Sequence, residues 1–215
     1  MFNSGLLPTR LWEYLIATIL IVLAPGPSVL FIIARAIAWG RASALATVAG
    51  NTAGIFIISL LVAFGLGPLL QRSTLFYNSI QWAGGVYLIY LGYEAIKASK
   101  IVASGLQKGE GVKPTLLASA KNGFWVGALN PKTIVFFAAV LPQFVIADWG
   151  YITLQLLGLG TAFCLMGAAL DSVWGIAAGS LRNWFLDQPS RLSLMSAVGG
   201  GLIISLGIAV ALGWF

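Results

Sequence analysis

The chain has no histidine in 215 residues, one cysteine, and six acidic side chains against 12 basic ones. Without histidine, imidazole general bases, imidazole metal ligands and histidine proton relays are excluded. Cys164 alone makes neither an intrachain disulfide nor a CxxC site. In its apolar surroundings it reads as a small buried hydrophobe. Charge is scarce overall, at 8% of residues, where a soluble domain carries about 25%. Long polar segments are missing too. What is present is 59% hydrophobic, with a mean hydropathy of +0.94. That composition places the chain in a membrane. The net charge of +6 does not gather with aromatics into a basic face, so nucleic acid is not a partner. No metal or cofactor is called for.

Six apolar runs are long enough to span a bilayer, which takes about 20 residues. They cover about 11–34, 43–66, 77–95, 124–145, 151–178 and 194–214. The first exceeds a signal-peptide core and lacks a cleavage pattern, so it is retained. One polar connection, with Lys97, Lys100, Lys108, Glu110, Lys113, Pro114 and Lys121, divides the chain into halves. The expected organisation is a single transmembrane domain over 1–215. Repeat one covers about 11–97, a cytoplasmic basic loop about 98–121, and repeat two about 122–214. Arg10 and Arg72 fall on the N-terminal side of the spans. Arg35, Arg41, the five lysines, Arg182 and Arg191 fall on the other. The positive-inside rule makes that second side cytoplasmic and both termini periplasmic.

The halves resemble each other. Gly84-Gly85 followed by Leu91-Gly92 matches Gly199-Gly200 followed by Leu206-Gly207. Ala24-Pro25-Gly26-Pro27-Ser28 in the first run matches Leu129-Asn130-Pro131-Lys132-Thr133 in the fourth. Three spans per half is odd, so the repeats are inverted. The fold class expected is an all-α polytopic membrane protein, six transmembrane helices in two inverted three-helix repeats, with helices 1 and 4 broken at mid-span. Inverted repeats with interrupted helices mark secondary transporters.

The breaks carry the chemistry. Pro25 and Pro27 each remove an amide donor around Gly26. In lipid such a break is tolerated only against protein or a wet cavity. Asn130 reads as an N-cap and Pro131 as the first residue of a restarted helix. Two half-helix N-termini then meet near the midplane, at Gly26–Ser28 and Pro131–Thr133, and seat a carboxylate. Lys132 is the deep cation and Asp171 the deep anion, at similar depth from Lys121 and Arg182. A pair between them would lower the cost of both; it is either proton- or substrate-responsive, or purely structural, or the two make unconnected polar contacts, and the functional reading assigns proton coupling to Asp171 and Lys132. A substrate ammonium takes carbonyls of the unwound segments or Asp171. Asn51 hydrogen-bonds a broken segment or a ligand. Substrate-binding candidates are thus Pro25, Gly26, Pro27, Ser28, Asn51, Asn130, Pro131, Lys132 and Thr133. Glu13, Glu94, Asp148 and Asp187 lie near ends or loops and read as solvated.

Gly50 with Gly54, Gly123 with Gly127, and Gly175 with Gly179 read chiefly as close-packing positions. Such faces serve within one chain or between copies, so a homo-oligomer stays open. Trp12, Trp39, Trp149, Trp184 and Trp214 read as interfacial anchors.

Taken in order, Ala24-Pro25-Gly26-Pro27, Gly40-Arg41, Gly50-x-x-x-Gly54, Tyr87-Leu88-Ile89-Tyr90-Leu91-Gly92, Asn130-Pro131-Lys132 and Leu141-Pro142-Gln143-Phe144 resemble the LysE/RhtB family of bacterial amino-acid exporters. The resemblance runs from about Leu11 to Gly213. It implies a six-span inner-membrane exporter coupled to the proton motive force, with a small amino acid as substrate and the lipid bilayer as surroundings. Family members differ among lysine and arginine, threonine and homoserine, and leucine or cysteine, and the sequence does not choose. The expected function is therefore proton-coupled export of a small amino acid or related metabolite. The alternatives are a channel or a non-transporting membrane subunit. An intramembrane enzyme is disfavoured by one deep carboxylate and no histidine, leaving only a Ser28–Lys132 dyad to consider.

Overall fold

Prolines decide where these helices break, and glycines decide where they touch. The structure is a computed structural model and describes residues 9–70, 74–104, 113–146, 149–188 and 190–214. Arg72, Lys108, Glu110 and Asp148, named above, lie outside the described residues. Every regular element among the described residues is helical. They are α1 (Thr9–Leu23), α2 (Pro27–Trp39), α3 (Arg41–Leu70), α4 (Thr74–Ser104), α5 (Leu116–Ala128), α6 (Pro131–Val135), α7 (Ile152–Ser180), α8 (Arg182–Asp187) and α9 (Ser190–Ala211).

Arg41–Gly65, Ile152–Ser180 and Ser193–Ala211 are each long and apolar enough to cross a membrane. Two bent pairs qualify jointly, Leu11–Leu23 with Pro27–Trp39 at 49° and Leu116–Ala128 with Pro131–Phe144 at 45°, bringing the number to five. The remaining apolar run falls in α4, whose 31 residues interleave Asn78, Gln81, Glu94 and Lys97 with the apolar ones. Helix also occupies both ends of the stretch expected as a loop over 98–121. α4 continues to Ser104, and α5 begins at Leu116 behind the Thr115 N-cap.

At the first break the last α1 bond runs from Ala24 N to Leu20 O, at 3.2 Å. Pro25 and Pro27 have no N–H, so the carbonyls of Ile21 and Leu23 lose their helical donors. Gly26 is extended and caps α2, with Pro27 in its first turn. At the second break Asn130 is the N-cap and Pro131 opens α6. The helix then widens to a π turn over Phe136–Val140 and tightens to a 3₁₀ turn over Leu141–Phe144. Pro142 cannot donate to Ala138, and the amide of Leu141 reaches back five residues to Phe136 O.

α3 packs between α5 and α7. Where α3 crosses α5 the contact is backbone on backbone. A Cβ at Gly50 or Gly54 would overlap the main chain of Ala120 or Phe124, and one at Gly123 or Gly127 that of Thr47 or Asn51. α4 lies along α9 with reciprocal contacts. Gly92 faces Gly200 O while Gly200 faces Gly92 O, and Gly85 faces Gly207 O while Gly207 faces Gly85 O.

Long-range contacts sort the helix ends into two sets. Ser43 Oγ meets Ser119 Oγ at 2.9 Å, and Arg182 Nε donates to Ile37 O at 2.7 Å. At the opposite end Tyr14 Oη donates to Leu159 O at 2.6 Å and Gln81 Nε2 to Val210 O at 2.9 Å. One buried cluster joins α1, the π segment and α7, where Phe163 stacks 4.9 Å from both Phe136 and Phe137. A second lies under α2 and includes Ile32, Ile33, Ala44 and Ala178.

Candidate functional site

The two breaks are joined by one side chain. Lys132 Nζ crosses to α1 and donates to Ile21 O at 2.7 Å and Ala24 O at 2.8 Å. These are carbonyls that the first break orphans. Ile21 would accept from residue 25, which is proline, and Ala24 precedes the extended Gly26. A buried carbonyl without a donor costs about 1–3 kcal/mol, and the C-terminal end of α1 carries partial negative charge. The buried ammonium answers both. It passes so close that a Cβ on Gly26 would stand 3.2 Å from Nζ.

Asn130 makes the second link. Its Oδ1 accepts from Lys132 N at 3.1 Å and its Nδ2 donates to Ser28 Oγ at 2.7 Å. Across the bundle, Asn51 Nδ2 on α3 donates to Asp171 Oδ2 on α7 at 3.1 Å. Asn51 Oδ1 is buried without a partner.

These groups surround a cavity of about 20 Å³, which Ser28, Asn51, Asn130, Lys132, Thr133 and Asp171 line together with Phe163 and Gly167. That is the size of a water site, which takes about 10–15 Å³. On the other side of the break lies a cavity of about 210 Å³, lined by Pro25, Gly26, Pro27, Pro131 and Lys132, with Leu30, Leu91, Glu94, Ala95, Ser196 and Ile203. Lys132 is the one residue that borders both of these cavities.

Four of the arrangements considered from the sequence take the following form. Lys132 and Asp171 share a cavity but form no direct ion pair; among the described residues the ion pair within 4.0 Å is Glu94–Lys97, at 3.8 Å. The reason is that the Pro25 break offers Lys132 nearer acceptors. Of the carbonyls near the break that could take a substrate ammonium, those of Ile21 and Ala24 are occupied by Lys132 itself. Of the two helix N-termini expected to seat a carboxylate, that of α6 already has Asn130 as acceptor, whereas α2 has no side-chain cap. The Ser28–Lys132 dyad is not formed, since Ser28 accepts from Asn130.

Glu94, expected in solvent, borders the larger cavity. Ser196, buried and with its hydroxyl unpartnered, borders it too, at a position outside the sequence motifs. The Gly199-Gly200 repeat held the signal. Gly199 packs onto Pro25, so the turn of α9 before it must stand beside the break.

A family model for the LysE type translocators matches residues 19–213. The chain belongs to that family. It is a membrane transporter, not an enzyme. A homoserine/homoserine lactone efflux protein of Salmonella typhimurium is 29% identical over 200 residues, covering 93% of this chain and 95% of that one. Its counterpart in Salmonella typhi is 28% identical over 200 residues, with the same coverage. An uncharacterized membrane protein of Pseudomonas aeruginosa is 26% identical over 206 residues, covering 94% and 95%. No solved structure matches the translocator.

Proposed function

We propose that this translocator exports a small amino acid or related metabolite of the homoserine class across the bacterial inner membrane, driven by protons. The observation that carries this reading is the pair of cavities that share Lys132 in their linings. The larger has room for a small solute. It lies against the uncapped N-terminus of α2, whose amides and partial positive charge suit a carboxylate. The smaller suits a water beside the one deep carboxylate, Asp171. A residue bordering both communicates occupancy of one to the other. Protonation of Asp171 changes the field at the Lys132 ammonium. The ammonium's hold on Ile21 and Ala24 in turn fixes the angle between α1 and α2. Each ligand then biases the same two-state element.

In this reading the chain crosses six times as two inverted repeats. Support comes from the α4–α9 contact. Matching Gly85 to Gly200 and Gly92 to Gly207 converts the Gly92–Gly200 contact into the Gly207–Gly85 contact, as a pseudo-two-fold requires. The sorted helix ends also alternate as six crossings demand. The end holding Arg41 and Arg182 is cytoplasmic by its charge, and the termini are periplasmic.

The test is flux of labelled amino acids in liposomes holding the purified protein, with and without an imposed pH gradient. Saturable homoserine flux that responds to the gradient is expected. Asp171→Asn keeps flux but loses the response. Flux of no amino acid, or flux indifferent to the gradient in the unmodified protein, contradicts the reading.

A further inference from the structure

The larger cavity is poor in polar groups, and the few it has are separated by kind. Its lining holds one cation, Lys132, and one anion, Glu94, with Ser196 among apolar neighbours that include Pro25, Leu91 and Ile203. The Lys132 ammonium is engaged with Ile21 and Ala24. Glu94 is held only loosely. Lys97, one turn on, stands 3.8 Å away, with the two side chains 42% and 67% exposed. An exposed pair of that geometry is worth less than about 1 kcal/mol, so another ammonium competes for it easily. Ser196 is 1% exposed and its Oγ has no hydrogen-bond partner. A buried hydroxyl left unsatisfied is costly, and a rotation of Ser196 toward the cavity it lines would let a solute donor relieve it.

Resting on the transport reading above, we infer that Glu94, which shares the cavity lining with Ser196, receives the ammonium group of the exported solute, and that the cavity selects α-amino solutes with an uncharged side chain. The solute lies with its carboxylate toward the α2 N-terminus and its ammonium toward α4, displacing Lys97 from Glu94. A charge-assisted bond to a carboxylate is among the stronger polar contacts available. A solute with a second cation on its side chain meets no second carboxylate among the described lining residues, and the remaining walls are apolar, so lysine is excluded.

The experiment measures the KM of liposome flux for homoserine in the unmodified protein, Glu94→Gln, Glu94→Asp and Lys97→Gln, with N-acetylhomoserine as the solute lacking an ammonium. Glu94→Gln is expected to raise KM for homoserine roughly tenfold and to erase the preference over N-acetylhomoserine. Glu94→Asp gives a smaller rise, and Lys97→Gln gives none, because it removes a competitor. A purely structural Glu94–Lys97 pair predicts equal effects of Glu94→Gln and Lys97→Gln, and that result overturns the inference. So does an unchanged KM in Glu94→Gln while homoserine is still carried. If the unmodified protein carries no amino acid, the transport reading itself falls, and this inference with it.

Discussion

At the scale of single residues, Pro25 and Lys132 are two halves of one feature. The proline withholds an amide from Ile21, and the lysine supplies an ammonium to the same carbonyl from 111 positions away. Removing the lysine leaves two buried carbonyls exposed to nothing, at about 1–3 kcal/mol for each. Lys132→Met is therefore expected to lower the melting temperature in detergent and to abolish flux. Pro25→Ala returns an amide to residue 25, so the loss in the double variant should be smaller than the sum of the two single losses. A thermal double-mutant cycle reads this, with coupling on the order of 1 kcal/mol; strict additivity contradicts the link. Each break was legible in sequence, because proline chemistry is local. The partner of Lys132 was not legible there, because a buried cation is equally well explained by a distant carboxylate. Counting which carbonyl each proline orphans would have pointed to Ile21. Glu94 escaped for another reason. Its position near the end of an apolar run suggests solvent, and only the packing of α9 against Pro25 shows the cavity it borders.

At the scale of elements, α5 fixes the backbone of α3 at Asn51, and α7 on the other side of α3 brings Asp171 to its side chain. Helices approach this closely only where side chains are absent. Gly127→Val puts a β-branched side chain into the carbonyl of Asn51, and the helices must separate. The backbone that carries Asn51 then shifts, and its 3.1 Å bond to Asp171 loses its geometry. The expected result is flux reduced at least to about a tenth, with a lowered melting temperature. Gly158 on α7 meets nothing within 4 Å, and Gly158→Ala should be neutral or gain up to about 1 kcal/mol from helix propensity. Equal tolerance of both substitutions, by flux and melting, contradicts the packing account. The spacing of Gly50 with Gly54 and of Gly123 with Gly127 made these faces readable. Which face meets which was not readable, since every GxxxG surface offers the same flat backbone. The π and 3₁₀ turns after Val135 also went unforeseen, although Pro142 marks the place where α-helical bonding must fail.

For the whole molecule, two broken rods pinned to each other stand among straight ones, and the space for a solute opens beside the pins. The most direct measurement of that claim is solute protection at the larger cavity. Cys164 is the chain's single cysteine, so Cys164→Ala with Leu91→Cys leaves one thiol, on the cavity wall. Membrane vesicles of both orientations are treated with a membrane-impermeant alkylating reagent, with and without homoserine at concentrations that saturate flux. Alkylation should be faster from the face bearing Arg41 and Arg182, and homoserine should slow it severalfold in proportion to its occupancy. Alkylation at an unchanged rate under saturating homoserine, in a variant that still carries it, would contradict the placement of the solute beside the breaks.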